Sequence, residues 1–427
     1  MRFHVKPVTG PKQLGITLIT VMRSFGGAEA HTAKLARALI GRGHRVRMLA
    51  LGGRYPTWIV PDGLETMDAS LRKPVEAMSF REWRDLLRRV PGEVGVLAKG
   101  GVHVGSLKLD LAARNRFRRY YTIEHSNLDA LPRKASRRHF GGLVPGLGLG
   151  WYRAQWEGRI RSFAPHRVIC VSDAVQNVLQ SDYRFPSRKL VTVHNGADPT
   201  RFRPDPELRA ACRRAWGVPE DCLLLGTLGR LSAEKRLHLA MEALGRLRTR
   251  SAQKHLRLAI VGDGLEEQAL HALARRMGVH DAVVFAGFTS RPWEALCALD
   301  IFLMPSSTEG LPLALCEAMA CGCCCIASDV GGIPEVIADS RVGTLVPAGD
   351  PQALFDAVER AVEMPREERL GMGARARAHV TAEFNEKTQL DRIAAIIEGG
   401  LSRGTLAESL RLPKSVRLQT SGQRKSA

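Results

Sequence analysis

Short apolar runs alternate with stretches of helical periodicity along almost the whole chain. Leu14–Val21 (LGITLITV) has the length and continuity of a buried strand, Gly26-Gly27-Ala28-Glu29 turns the chain, and a helical pattern follows through Leu39. The same reading predicts strands at His44–Leu51, Val94–Ala98, Tyr120–Glu124 and Val168–Val171, with Leu190–Val193 leading into an Asn195-Gly196 turn. Helices are expected at Arg81–Val90, Leu109–Arg119 and from Ser172. The Pro-rich stretch Pro199–Pro206 (PTRFRPDP) reads as a linker, after which the alternation restarts. Strands follow at Leu223–Leu228, Leu256–Val261, Ala282–Phe285, Asp300–Met304, Cys324–Ser328 and Gly343–Val346. Glu266–Met277, Pro351–Glu363 and a last helix, Phe384–Ile397, lie among and after them. Strands alternating with helices predict parallel sheets covered on both faces, here in two doubly wound halves.

Within this pattern, MPSSTEGLPLALCEAMACG (Met304–Gly322) stands out. It leaves a buried strand through a polar turn, Ser306–Gly310, and enters a helix with Pro312 at its start and Gly322 at its end. Glu309 lies in the turn and Glu317 about two turns into the helix. A helix amino terminus flanked by acids can hold phosphate by its amides and sugar hydroxyls by its carboxylates. The first strand of the second half ends in Gly229-Arg230-Leu231-Ser232-Ala233-Glu234-Lys235-Arg236, so Arg230 and Lys235 leave the carboxyl end of that strand, where open α/β sheets bind ligands. Two cations there can neutralise a departing diphosphate; two surface cations in a loop are the plainer alternative. Val261-Gly262-Asp263-Gly264 ends the next strand with glycines that permit close approach of a ligand or of backbone.

Composition is that of a globular protein of 427 residues, 44% apolar and 25% charged, long enough for two cores. Nine irregularly spaced cysteines point to free thiols in a reducing cytosol. The cluster Cys321, Cys323, Cys324 and Cys325 fits no ordinary zinc spacing and reads as small buried side chains entering a strand. The opening MRFHVKPVTGPKQ lacks the apolar core of a signal sequence, and no run of about 18 uncharged apolar residues occurs, so neither export by that route nor membrane spanning is expected.

The net charge of +20 is lopsided: residues 1–200 hold 33 Lys and Arg against 15 Asp and Glu, and residues 201–427 hold 30 against 28. A field of this sign draws the first half toward an anionic partner. Its basic residues cluster at Arg81, Arg84, Arg88 and Arg89, at Arg114, Arg116, Arg118 and Arg119, and at Arg133, Lys134, Arg137 and Arg138. Gly141–Trp156 adds an apolar insert carrying Trp151, Tyr152 and Trp156. The helix over Phe80–Val90 is basic and amphipathic, equally suited to a membrane surface and to covering a sheet. Together the clusters and the insert favour peripheral contact with an anionic membrane. No nucleic-acid readout motif accompanies the charge, which disfavours an RNA- or DNA-binding protein.

GRLSAEKR, VGDG, FAGF, the E-x7-E stretch from Glu309 to Glu317 and SDVGGIPEVI, in this order and spacing, resemble the retaining family-four glycosyltransferases of the GT-B fold. The first half resembles the family more loosely, through Gly26-Gly27-Ala28-Glu29, Glu124-His125 and Asn195-Gly196-Ala197-Asp198. The resemblance implies an α/β protein with two Rossmann-like parallel-sheet domains facing across a cleft. Residues 1–200 would form the acceptor domain and 201–383 the nucleotide-sugar domain. Residues 384–400 would be a helix crossing back to the first domain, and 401–427 a basic disordered tail. It implies a retaining hexosyltransferase that uses a nucleotide-diphosphate-sugar and a glycan or lipid-linked acceptor at the inner face of the membrane, in polysaccharide or lipopolysaccharide synthesis. Arg230 and Lys235 would bind the diphosphate, Glu317 the ribose, and Glu309 the transferred sugar, helped by the amides of Gly310, Leu311 and Leu313. Gly26 and Gly27 would close over the diphosphate, and His125 would touch the sugar near the reaction centre. No Asp-x-Asp pair occurs, so no metal and no cofactor beyond the nucleotide sugar is expected. Cys324 departs from the family's usual proline. A catalytically silent relative would keep the fold and lose the key residues, whereas Arg230, Lys235, Glu309 and Glu317 are all present.

Overall fold

The computed structural model describes residues 13–22, 26–61, 64–71, 73–100, 107–125, 149–250 and 255–399. The third basic cluster, residues 141–148 of the Gly141–Trp156 insert and the basic tail lie outside the described residues. Seven parallel strands make the first sheet: β1 Gly15–Val21, β2 Arg45–Leu51, β3 Glu65–Ala69, β4 Val94–Lys99, β5 Arg119–Glu124, β6 Arg167–Cys170 and β7 Leu190–Thr192. Their order, β3-β2-β1-β4-β5-β6-β7, reverses between β1 and β4. Six more form the second sheet: β8 Leu223–Leu228, β9 Leu256–Val261, β10 Val283–Gly287, β11 Ile301–Met304, β12 Cys324–Ser328 and β13 Thr344–Val346. Their order, β10-β9-β8-β11-β12-β13, reverses between β8 and β11. Crevices at the carboxyl ends of such switch points are where doubly wound sheets take ligands. Here they receive Gly26-Gly27 after β1, Arg230 and Lys235 after β8, and Glu309 after β11.

Central strands are apolar on both faces because helices cover both; Ile16, Leu18, Ile19, Leu224, Leu225, Leu258 and Ile301 are all within 1% of full burial. Helix Phe80–Arg88 is a sheet-covering helix, with Trp83 and Leu87 at 0% exposure in the core and Arg81, Arg88 and Arg89 outside. Ser79 and Glu82 form a capping box at its start. At its other end Arg116 donates to the carbonyls of Leu87, Val90 and Gly92. One arginine of the second basic cluster is thereby committed to the fold.

Several elements were hidden in the sequence, among them helix Leu149–Arg161, which overlaps the apolar insert expected at Gly141–Trp156. Strand β3 (ETMDA) is a polar edge strand without an apolar run to mark it. Helix Pro206–Ala215 begins inside the expected linker, where Asp205 accepts from the amides of Glu207 and Leu208 and proline fills the first position. Helix Arg366–Glu383 carries two glycines and a basic run that mask its period, and Gly373 is needed because a Cβ there would lie 1.9 Å from the Gly322 carbonyl oxygen.

The last helix, Glu386–Glu398, starts after Asn385, whose side chain accepts from the Thr388 amide. It packs against the first helix, Gly27–Gly41, and buries Leu390, Ile393 and Ile397. Burial of each such side chain stabilises by about 1.5–3 kcal/mol. Arg42 reaches Glu398 at 2.7 Å and His44 reaches it at 2.9 Å. The chain that has built the second sheet thus ends against the first.

Candidate active site

The loop after β8 is shaped by close backbone packing. Gly262 has φ 135°, and a Cβ on it would lie 1.9 Å from the Gly229 carbonyl oxygen, so this glycine lets the β8 and β9 loops stack. The VGDG signal is therefore explained at Gly262 by backbone against backbone. Leu231 and Asp263 then join the loops through a 2.7 Å backbone hydrogen bond. A single helical turn, Ala233–Lys235, delivers Lys235 toward the β11 loop. Lys235 Nζ lies 2.6 Å from Glu309 Oε1, and Ser306 Oγ donates to the same oxygen at 2.7 Å. Ser307 donates through its amide (2.7 Å) and hydroxyl (3.1 Å) to the Glu234 carbonyl, tying one loop to the other. Arg230 lies 3.4 Å from Glu234 at the outer edge, nearly half exposed. A shallow cleft opens here, lined by Gly229, Arg230, Lys235, Met304, Pro305 and Ser306 among others.

Helix Leu313–Ala320 follows Pro312, with no side chain capping its amino end. Its far end closes as expected, with Gly322 at φ 78°. The carbonyls just ahead of the helix are engaged: Gly310 accepts from the Gly332 amide at 2.8 Å and Leu311 from Asn195 Nδ2 at 2.7 Å. Asn195 belongs to the first half, so this bond spans the cleft.

On the opposite wall, Gly26 caps the first helix, and a Cβ on Gly27 would sit 3.7 Å from Leu313 Cδ1. Glu29 follows in that first turn; burial pushes its carboxyl up while nearby Arg230 pulls it down. His125 directly follows β5, its amide bonded to the Lys99 carbonyl at 2.8 Å. Its ring meets that of His31 edge-on, with centroids 4.8 Å apart. His125 Nε2 and His31 Nδ1 are buried without a hydrogen-bond partner. Burial takes His125 down to about 4 and His31 well below its usual value, so both rings are neutral near pH 7. His31 was missed in the sequence; its signal is its place one turn after Gly27, on the same helix. Glu124 belongs to a buried ionic group behind this wall: Lys99 lies 2.9 Å from Asp110 and 3.7 Å from Glu124, and Arg161 is 3.1 Å from Asp110.

Glu317 stands away from the Lys235–Glu309 pair. Its carboxylate is buried and faces Lys34 of the first helix at 3.4 Å, and Lys34 also pairs with Glu386 at 2.5 Å. A second link between the halves, absent from the sequence reading, is Glu335. One of its oxygens accepts from the Ala174 amide at 2.8 Å; the other takes the Asp173 amide at 2.9 Å and lies 2.8 Å from His194 Nε2. Asp173, His194 and Glu335 are close enough to surround a cation, but Glu335 already spends both oxygens capping helix Asp173–Ser181. All nine cysteines are free, and Cys321, Cys323, Cys324 and Cys325 are buried. Cys324 opens β12 with its sulfur 3.5 Å from that of Met372.

Known proteins share both halves. Residues 25–201 match the family described as Glycosyltransferase Family 4, and residues 209–379 match Glycosyl transferases group 1. A GDP-mannose-dependent alpha-(1-6)-phosphatidylinositol monomannoside mannosyltransferase from Mycolicibacterium smegmatis is 33% identical over 287 residues, 64% of this chain and 73% of that protein. A D-inositol 3-phosphate glycosyltransferase from Stackebrandtia nassauensis is 34% identical over 233 residues, 50% of this chain and 52% of that protein. The chain thus spans about half the length of this latter relative. Anabaena HepE, solved in complex with UDP-glucose, has the same fold, with a TM-score of 0.70 at 17% identity over 91% of this chain and 100% of that one. Two doubly wound sheets with facing switch points define the GT-B class. Within it, the chain belongs to the family-four glycosyltransferases.

Proposed function

We propose that the protein is a retaining, metal-independent glycosyltransferase that moves a hexosyl group from a nucleotide-diphosphate-sugar to a glycan or lipid-linked acceptor. The observation that carries this reading is the Lys235–Glu309 pair at 2.6 Å, with Arg230 beside it, where β8 and β11 open at the switch point. Loss of diphosphate from a sugar leaves negative charge on the leaving group and positive charge at the anomeric carbon. Lys235 and Arg230 neutralise the first, which is the main electrostatic task. Glu309, held by Lys235 and Ser306, orients the sugar hydroxyls. His125, neutral and with a free ring nitrogen, offers the sugar a hydrogen bond without adding repulsive charge. The acceptor hydroxyl attacks within the resulting ion pair from the face the diphosphate leaves and passes its proton to the departing phosphate oxygen, so configuration is retained with Glu309 positioning rather than bonding to the sugar.

A thermal-shift screen against UDP-, GDP-, ADP- and TDP-sugars should show stabilisation by one of them, followed by its slow hydrolysis. No shift and no hydrolysis with any would refute the reading. With two cations at the diphosphate seat and no Asp-x-Asp pair in the chain, turnover should persist in EDTA; abolition by EDTA with recovery in manganese would rule out metal independence.

For the acceptor, the reading is a lipid-linked glycan at an anionic membrane face, in polysaccharide or lipopolysaccharide assembly. The Mycolicibacterium smegmatis relative is named for action on a phosphatidylinositol monomannoside. Trp156 (69% exposed) and Ile160 on helix Leu149–Arg161, with Phe163 (64% exposed) just beyond it, present an apolar stripe at helical spacing beside the basic first half. No described helix is long and apolar enough to cross a membrane. At about 1 kcal/mol per basic residue near an anionic leaflet, a few suffice for reversible docking. The protein should float with anionic liposomes at low salt and release at high salt; failure to float at either would exclude this role.

A further inference from the structure

Lys34 sits in the middle of the first helix of the first sheet's half, yet its ammonium is spent on acids from elsewhere. It reaches Glu386 at the start of the last helix (2.5 Å) and Glu317 on helix Leu313–Ala320 of the other half (3.4 Å). The three side chains are 18%, 18% and 9% exposed. Setting a lysine among two carboxylates at this depth has a desolvation cost that only well-placed partners offset. The ring of Phe202 lies 5.8 Å below the ammonium and closes it off further. Lys34 donates to Oε1 of Glu317 at 3.4 Å, and Oε2 makes no hydrogen bond among the described residues.

The surroundings of Glu317 explain why it needs a cation. Burial drives its carboxyl toward the protonated form, Glu386 pushes the same way, and Lys34 with the more distant Arg201 opposes both; the balance still lies above the ordinary carboxylate value. Burial pushes up the Cys316 thiol, and the hydrogen bond with Cys297 and burial push up that of Cys321; the Glu317 charge adds to both, and both stay neutral. A protonated carboxyl would be a much poorer acceptor for two sugar hydroxyls than an ionised one.

We propose that Lys34 is a positioning residue: reaching across from the first half, it fixes the orientation and charge of Glu317 so that the free oxygen receives the ribose hydroxyls of the donor. Nucleotide recognition in the second half is then complete only when the first helix lies against it. This rests on the proposed nucleotide-sugar reading, taken with the ribose role for Glu317 that the family resemblance implies. Lys34 itself touches neither nucleotide nor sugar.

Titration calorimetry with UDP, GDP, ADP and TDP tests it, using whichever binds tightest to the full chain and its variants. Lys34→Met, which keeps the length without the charge, should weaken binding about ten- to a hundredfold at pH 7. The sign of the pH effect follows from Glu317. Without Lys34 its folded pKa rises further, so the acceptor form is scarcest at low pH and returns as pH rises. The ratio of variant to wild-type affinity should therefore recover between pH 6.5 and 9, and Lys34→Arg should show little deficit at any pH. A structural role alone would leave that ratio flat. Glu317→Gln should weaken binding too, and the double variant should lose little beyond the worse single one. If Glu317→Gln weakens binding but Lys34→Met leaves it unchanged, tightens it, or weakens it by a ratio that ignores pH, the role of Lys34 is overturned and the ribose assignment stands. If Glu317→Gln binds as wild type, the ribose assignment falls and takes the proposal with it. Binding of no nucleotide by the wild type overturns both.

Discussion

Lys235→Ala should lower turnover by about a hundredfold or more while the protein stays folded. The lysine is 22% exposed and pairs with a carboxylate at 2.6 Å, so its loss removes a cation from the proposed diphosphate seat and releases Glu309 from one of its two anchors. Lys235→Arg separates the two effects. It restores charge but lengthens the group, so partial recovery of rate would assign the loss to charge, and no recovery would assign it to the placement of Glu309. Single-turnover rates with the donor identified by thermal shift are the measurement. Turnover equal to wild type in Lys235→Ala would remove Lys235 from the chemistry.

The largest effect on stability is expected far from the site, at Arg213→Met. Arg213 is fully buried on helix Pro206–Ala215 and donates to Ala298, Cys222, Pro219 and Glu220 carbonyls and, at 2.6 Å, to Asp300. Asp300 in turn receives Arg209 at 2.7 Å and the Leu224 amide at 2.8 Å, at the point where β11 is about to enter beside β8. Methionine would fill much of the volume but leave several buried carbonyls without their donor and Asp300 with one arginine, Arg209, in place of two. Breaking one side of a buried ion pair typically costs about 3–5 kcal/mol. At about 2–4 °C per kcal/mol for a domain of this size, the melting point of the second half should fall by roughly 6–20 °C. A fall of under about 2 °C would show that the cluster is solvated or replaceable.

The two predictions differ in how far the sequence foretold them. Lys235 and Glu309 were legible because each sits at the end of an apolar run, and strands such as Leu223–Leu228, Leu256–Val261 and Cys324–Ser328 have the bounds the pattern gave them. Strand ends at a switch point converge whatever the loops do, so such residues are brought together by topology alone. Arg213 was not legible, because Pro204, Asp205 and Pro206 carry the composition of a linker while Asp205-Pro206 acts as a cap and first turn. Lys34 and Glu335 were hidden for a different reason. Their partners lie 283 and 161 positions away, and nothing local to a basic or acidic residue on an amphipathic helix says which remote charge it will meet. Glu317 shows the boundary: its spacing from Glu309 was readable, and the lysine facing it was not.

The return of helix Glu386–Glu398 to the first helix has a consequence for how the protein is made. Residues that pair with Ala197 and bind Arg42 and His44 are translated only after the whole second sheet. While the chain is still on the ribosome, the half that is synthesised first must wait with the flank of Gly27–Gly41 that faces Glu386–Glu398 uncovered, and the half synthesised second can close before it. Order of birth and order of completion are reversed, and a stop codon near residue 383 would strike the early half hardest.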